Sequence, residues 1–332
     1  MSKTLKIIIT VIVVALIIWI IATKGEKPAN QPLRVGVISV LSGPFADYGE
    51  EVRKGVLSEA SSTPDVEFVF EDDKCEPKDA VSAFNKLVQF EKIQVIIGPV
   101  CGSPQEAVIP LIKETGAIVL VPSAASSDLY SQSGGNFFNV QYSLEDESTF
   151  VAMKMNERGY KKVALVSYRN AFSETHVKAF KQKFTGEIID HIFVDANSDV
   201  ASELAKIKAE KPDAIYSPDA AFFFGNGVIK LRQLGVMAPI FGTYVTELPA
   251  VRTLVPDVFY SYPGNLEGTQ GAVYELSKQA ARIAVGAVKE CSNDTKCIKK
   301  KLDLSGTFDV SGVYKRPLIL KQVKGNEVVE VK

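Results

Sequence analysis

Leu33-Arg34-Val35-Gly36-Val37-Ile38-Ser39-Val40-Leu41-Ser42-Gly43-Pro44-Phe45-Ala46-Asp47-Tyr48-Gly49 is the stretch that decides the fold. Its first half is a short apolar run of the kind that forms a buried strand, and Ser-Gly-Pro then turns the chain. The turn presents an aromatic residue at the mouth of an α/β sheet, which is the outline of a binding cleft.

Upstream, Ile7 to Ala22 is apolar except for Thr10 and follows Lys3 and Lys6. As a helix it reaches roughly 24 Å, short of a hydrocarbon core of about 30 Å but enough for a signal or a short anchor. No small-x-small site follows closely, although cleavage after Gly25 is available, and no cysteine offers a lipid attachment point. Trp19 sits where an interfacial aromatic would, whereas Lys24 and Lys27 lie on the far side. An uncleaved anchor with the remaining chain outside the cytoplasm is favoured over a removed signal peptide. Glu26 to Pro32, polar and bearing two prolines, reads as a tether.

The remainder of the 332-residue chain exceeds one comfortable core, so two lobes are expected. Lys plus Arg total 38 and Asp plus Glu 39, a net charge of -1 that gives no electrostatic footprint for nucleic acid. Four cysteines in an exported chain imply two disulfides, with three pairings open. Cys75 and Cys101 follow strand-like runs, and Cys291 and Cys297 bracket a turn-forming stretch, so local pairing is the economical choice. A zinc site is the weaker alternative, because C-x₂-C spacing is absent and His176 and His191 are distant. Asn293-Asp294-Thr295 is a formal glycosylation acceptor.

Strand-like runs at Leu33–Val40, Val66–Phe70, Gln94–Ile97 and Ala117–Val121 alternate with helical faces such as Ala80, Phe84, Leu87 and Val88. Ala107, Val108, Leu111 and Ile112 mark another such face. This β-α-β-α-β-α-β order is the signature of a doubly wound parallel sheet. A second series follows at Lys162–Ser167, Glu187–Val194, Asp213–Tyr216 and Pro239–Gly242, interleaved with helical patterns at Glu174–Phe184, Val200–Glu210 and Phe222–Leu234. The helical stretch Thr269–Lys289, then Thr307–Val310 and strands Leu318–Lys324 and Val328–Val331, bring the chain back to both lobes. The expected fold is thus α/β, with two doubly wound parallel-sheet lobes joined by crossovers and preceded by an N-terminal membrane segment. Residues 1–32 form the signal or anchor and tether, 33–142 plus 263–312 the first lobe, and 143–262 plus 313–332 the second.

Ligands of doubly wound sheets bind beyond the carboxyl ends of the strands. The loops there run from Ser42 to Gly49, from Gly98 to Pro104 and from Pro122 to Ser127, all small, hydroxyl-rich or glycine-bearing. Such loops suit a carboxylate or another small anion held by amides and hydroxyls. Each alone reads equally as a helix cap, and three at one sheet edge shift the balance toward a site.

Four motifs occur in order: Leu41 to Gly49, Glu71-Asp72-Asp73-Lys74-Cys75-Glu76-Pro77-Lys78-Asp79-Ala80, Ile97-Gly98-Pro99-Val100-Cys101 and Val121-Pro122-Ser123-Ala124-Ala125-Ser126. Together they resemble the leucine/isoleucine/valine-type solute-binding proteins of ABC importers, which have the type I periplasmic-binding fold. The weaker similarity of Tyr160 to Leu165 and of Thr307-Phe308-Asp309 extends the resemblance over nearly the whole chain after the tether. It implies two lobes joined by three crossovers that close on an amino acid, a partner ABC permease, no cofactor, and pairing of Cys75 with Cys101.

Carried over residue by residue, the resemblance makes Tyr48 the aromatic that covers the ligand. It places Ser103, Ser123 and Ala124 in the loops that hold an α-carboxylate. The family often has Ser and Thr where this chain has Gly102 and Ala125, so two hydroxyl donors are missing, with Ser103 or Ser126 as substitutes. Phe172 takes the place of a ligand-facing aromatic. Tyr244 falls near the position of the acidic residue that meets an α-ammonium, leaving Glu247 or Asp219 as replacements. These departures argue against a plain branched-chain amino acid and widen the class to related amides or carboxylates.

Other constellations carry less. Glu71-Asp72-Asp73 reads as a solvated loop rather than a metal cluster, Phe222-Phe223-Phe224 as at least partly core, and His176, near Glu174, as a surface or packing residue. No G-x-G-x-x-G follows a strand, and neither G-x-x-x-x-G-K-[ST] nor G-x-S-x-G occurs, so enzyme chemistry has no motif to rest on. The reading is an extracytoplasmic receptor that binds its ligand by hinge closure. The alternatives are a sensor module of the same fold and a Rossmann-like enzyme.

Overall fold

The computed structural model describes residues 32–169, 171–193, 200–218, 227–253, 255, 257–325 and 327–331. Within it, the opening run forms β1 (Leu33–Ser39), whose last five residues are buried. The first sheet adds β2 (Val66–Asp72), β3 (Val95–Ile97), β4 (Ile118–Val121) and β5 (Phe137–Asn139) in the order β2-β1-β3-β4-β5. The pairs β1/β3, β3/β4 and β4/β5 are parallel, with Gly36 opposite Ile96, Val95 opposite Ile118 and Val119 opposite Phe137. Helices α1 (Ala46–Ala60), α2 (Pro77–Asn85), α3 (Gly102–Thr115) and α4 (Asp128–Gln132) connect these strands, and a short π-helical turn, Lys86–Phe90, extends α2.

Helix α5 (Leu144–Glu157) leads into the second sheet. There β6 (Lys162–Ser167), α6 (Ala171–Lys183), β7 (Glu187–Phe193), α7 (Val200–Glu210), β8 (Ala214–Tyr216), α8 (Gly227–Gln233), β9 (Ile240–Gly242), α9 (Pro249–Arg252) and β10 (Val258–Pro263) follow one another. Helices α10 (Ala272–Cys291) and α11 (Thr295–Leu304) come next, and β11 (Leu318–Lys324) and β12 (Glu327–Val331) close the chain. The sheet order is β12-β11-β10-β9-β8-β6-β7. Pairs from β6 to β10 are parallel, whereas β10/β11 and β11/β12 are antiparallel. The second sheet is therefore mixed rather than wholly parallel: only two residues separate β11 from β12, which permits a hairpin but no crossover. Three-residue β5 and Pro263-terminated β10 lack the long apolar run that marks a strand in sequence. Thr307–Val310 forms no strand, and nearby Phe308 and Val313 make isolated bridges to Tyr314 and Asn139.

Residues Arg34–Lys332 form one compact unit in which the chain passes between the sheets three times. It does so between β5 and β6, between β10 and α10, which packs on α1, and between Val313 and β11. Arg316 in the third passage ties all three together. Its Nη2 donates to Val140 O in the first at 3.1 Å and to Gln279 Oε1 on α10 at 2.5 Å, and its Nη1 to Gly264 O in the second at 3.4 Å. One continuous apolar core crosses from Val40, Tyr48, Val100 and Ala124 to Tyr142, Tyr244 and Tyr260.

Both disulfides follow the local pairing, Cys75–Cys101 with Cα atoms 5.5 Å apart and Cys291–Cys297 at 5.7 Å. Among the described residues no helix is long and apolar enough to cross a membrane. The segment Ile7 to Ala22, expected to be a signal or anchor, lies outside the described residues, as do Asp219 and Phe222-Phe223-Phe224.

Candidate functional site

The first loop is fixed from beneath by Asp72, whose carboxylate accepts from Leu41 N at 2.9 Å, Ser42 Oγ at 2.5 Å and Lys74 N at 2.9 Å. Although burial opposes it, these bonds hold the Asp72 carboxyl below its ordinary range. The acidic run at Glu71 is thus structural: Glu71 pairs with Lys86, and Asp73 caps Cys75 N at 2.9 Å. The loop delivers Tyr48 on the first turn of α1. Gly49 beside it has no room for a side chain, since a Cβ would stand 1.8 Å from Val40 O.

Tyr48 is buried, and its hydroxyl meets that of Tyr244 at 2.8 Å, a bond from the first-sheet side to the second. Burial pushes the Tyr48 hydroxyl up to about 12, against hydrogen bonds to Tyr244 and Ser123. Buried Ser123 is held by Gln105, whose Nε2 donates to Ser123 Oγ at 2.9 Å and to Pro99 O at 3.2 Å. One side chain therefore ties together the loops after β3 and β4.

Gly102 opens α3 directly after Cys101. Its missing hydroxyl has a steric counterpart: a Cβ here would stand 2.8 Å from Cδ2 and 3.0 Å from Cβ of Phe172 on α6. Phe172 in turn lies edge-on to His176, with centroids 4.8 Å apart. The remaining expected residues divide. Ala124 joins the core that contains Tyr48 and Tyr244. Ala125 is buried in the separate core behind the first sheet and bridges Ser143, while Ser103 is exposed. Ser126 donates to Glu145 Oε1 at 3.0 Å. Glu247 accepts from Lys321 at 3.1 Å, and the same ammonium sits 3.2 Å from the Tyr262 ring centroid. Glu247 is thereby already charge-compensated.

Sequence reasoning missed the polar group at the centre of this seam. Ser143 caps α5 by accepting from Asp146 N at 3.0 Å, which sets Glu147 in the first turn, fully buried. Glu147 Oε1 accepts from Tyr142 at 3.0 Å and from Ser261 on β10. Among the described residues its Oε2 has no hydrogen-bond partner and lies 3.7 Å from His176 Nε2, which has none either. Burial raises the Glu147 carboxyl to about 7, against the bonds from Ser261 and Tyr142, and lowers the His176 imidazole to about 3. The two therefore do not form an ion pair at neutral pH. Of the surface and packing roles expected for His176 the structure shows packing: it is buried and held by Ser148 Oγ at 2.6 Å from Nδ1. The Tyr142 ring stands edge-on to Tyr244, centroids 6.4 Å apart. Burial first, then the charges of Tyr48, Tyr142 and Glu147, hold the Tyr244 hydroxyl far above its ordinary value. The one available sequence signal was Ser143-Leu144-Glu145-Asp146, a capping box announcing α5.

Two α/β layers, crossed three times by the chain and meeting over buried hydroxyls from both sides, define a two-lobed binding-protein architecture. A family model described as periplasmic binding protein matches residues 32–288, and the chain belongs to that family. It is similar to the Leu/Ile/Val-binding protein BraC3 of Rhizobium johnstonii, 27% identical over 224 residues, covering 63% of this chain and 60% of that protein. It is also similar to the leucine-, isoleucine-, valine-, threonine-, and alanine-binding protein of Pseudomonas aeruginosa, 26% identical over 231 residues, covering 66% and 56%. The matched region thus spans about 60% of such relatives. Among solved structures, the leucine binding protein LivK of Thermotoga maritima superposes with a TM-score of 0.81 at 18% identity, covering 90% of this chain and 98% of that one. A solute binding protein of R. palustris in complex with benzoate gives 0.79 at 21%, covering 91% and 96%. At these identities the structural likeness is one of fold.

Proposed function

We propose that the chain is an extracytoplasmic solute-binding receptor of an ABC importer. It takes a small polar ligand, an amino acid or a related amide or carboxylate, into the seam between its sheets. The lobes are 33–142 plus 263–312 and 143–262 plus 313–332, and they close on the ligand about the three passages that Arg316 joins. The protein is a carrier and not an enzyme, and it hands the closed form to a permease. Residues 1–32 export the chain or hold it at the membrane through Ile7 to Ala22.

The observation that carries this reading is the Tyr48–Tyr244 hydroxyl bond, which links the two sides over a buried polar floor. On the first-lobe side Ser123 and the leading N–H groups of α3 favour a carboxylate or carbonyl. On the second, Phe172 and Tyr244 supply apolar surface, to which Tyr142 adds from the end of the first lobe's leading segment. Thermal unfolding of the full-length chain with amino acids, amides, small carboxylates and nucleotides tests it. A ligand at 100 times its Kd adds about 2.7 kcal/mol to stability, and Tyr48→Ala should weaken that ligand at least tenfold. A response to nucleotides alone would refute the reading.

A further inference from the structure

We propose that Glu147 is a specificity-determining residue of the seam, its unpartnered Oε2 receiving the amino group of an amine-bearing ligand framed by Tyr142, Tyr244 and Phe172. This rests on the receptor reading above and narrows its ligand class to compounds that carry a protonated amine. Glu147 is fully buried, and only one of its two carboxylate oxygens is engaged. A buried carboxylate left without a counter-charge is strongly disfavoured, so Glu147 favours its neutral form when alone and its ionised form when a cation meets it. Among the described residues, the groups facing it from each neighbouring element supply none. On α6 stands neutral His176, on β10 the Ser261 hydroxyl, and before and beyond α5 the tyrosines Tyr142 and Tyr244, which stay protonated. Ser148, on Glu147's own helix, is turned to His176 Nδ1 and the Tyr216 hydroxyl.

Glu247, the replacement that the sequence offered, has its cation in Lys321. The aromatic surround strengthens the assignment. Tyr142, which donates to Glu147, stands edge-on to Tyr244, and His176, 3.7 Å from the free oxygen, stands edge-on to Phe172. Aromatic rings beside a buried acid add to an ammonium's attraction wherever it meets their faces, and the carboxylate supplies the charge-assisted hydrogen bond. The bound amine keeps its proton, and Glu147 gives up its own to solvent when it ionises to meet it. No covalent bond changes.

Calorimetry on the full-length chain tests this, with the standard amino acids set against matched acids lacking the amine, isocaproate for leucine and hydrocinnamate for phenylalanine. The wild-type protein should prefer the amino acid by roughly 100-fold, the scale for leaving a buried charge unpaired. Glu147→Gln, which keeps an oxygen for Tyr142 and Ser261, should reduce that preference to below about fivefold. A second measurement needs no variant: at about pH 6, where Glu147 is largely protonated, binding should release close to one proton, and at about pH 8 almost none. Preference for the deaminated acids, or amino-acid binding with no proton released at about pH 6, overturns the assignment of Glu147 and leaves the receptor reading standing. Failure of every compound to bind overturns both.

Discussion

Gly102→Ala isolates the closed seam in a single methyl group. The added Cβ would stand 2.8 Å from Phe172 Cδ2, 3.0 Å from its Cβ and 3.2 Å from its Cγ. The nearest of these is closer than carbon atoms pack, and the Phe172 Cβ is fixed to the backbone of α6 and cannot swing aside. Overpacking of this kind costs about 1–3 kcal/mol. Gly102 opens α3 and Phe172 stands on α6, so under the proposed hinge closure the penalty falls on the closed arrangement and separation of the lobes relieves it. Coupling of that size lowers ligand affinity by about 5- to 150-fold. Gly102 is the first residue of its helix, where the interior preference for alanine over glycine has little force, so with the lobes apart the unliganded midpoint should hold. Falling affinity with steady stability is the signature, read by calorimetry alongside thermal unfolding. Adding Phe172→Ala removes the ring contacts at 2.8 and 3.2 Å while leaving the Cβ contact at 3.0 Å, and the double-mutant cycle should return a coupling of about 0.5–3 kcal/mol. Affinity within twofold of wild type for Gly102→Ala, with no coupling to Phe172, would refute the steric account of Gly102.

Two further outcomes are expected. Glu147 has a folded pKa raised to about 7 from 4.5, so its stabilising contribution is complete below about pH 4.5 and is lost as pH rises through 7. Urea unfolding of unliganded protein should therefore show wild type losing about 2 to 3 kcal/mol relative to Glu147→Gln between about pH 5 and pH 8, and parallel profiles would contradict the burial of an unpaired carboxyl. In the loop-entropy model, removing Cys75–Cys101, 26 residues apart, should cost about 3.5 kcal/mol, and removing Cys291–Cys297, 6 apart, about 2.3. Denaturant midpoints of the paired serine variants check the order, and equal losses would show that native-state contacts, not loop length, set the difference.

The legible parts of the molecule were those whose signals lie within a few residues. Alternation of apolar runs with helical faces located β1 to β4 and β6 to β9, and the Ser-Gly-Pro turn placed Tyr48 at a sheet edge. Glu147 was invisible because its chemistry comes from partners far along the chain. Ser261 is 114 residues away and reaches it only because β10 joins the second sheet beside β9. Gly102 was misleading for the same reason. Read locally it lacks a hydroxyl, and only the approach of α6 shows that the space is filled by a ring.

The chain by itself determined the α/β alternation, the loops that could form a site, and the local order of its cysteines. Each follows from short-range periodicity and turn chemistry. Tertiary structure alone decided which of those loops face one another. It set Tyr48 against Tyr244, gave Lys321 to Glu247, and left Glu147 buried without a cation among the described residues. Charge compensation and steric fit are properties of pairs brought together across the seam, and no spacing within the sequence records them.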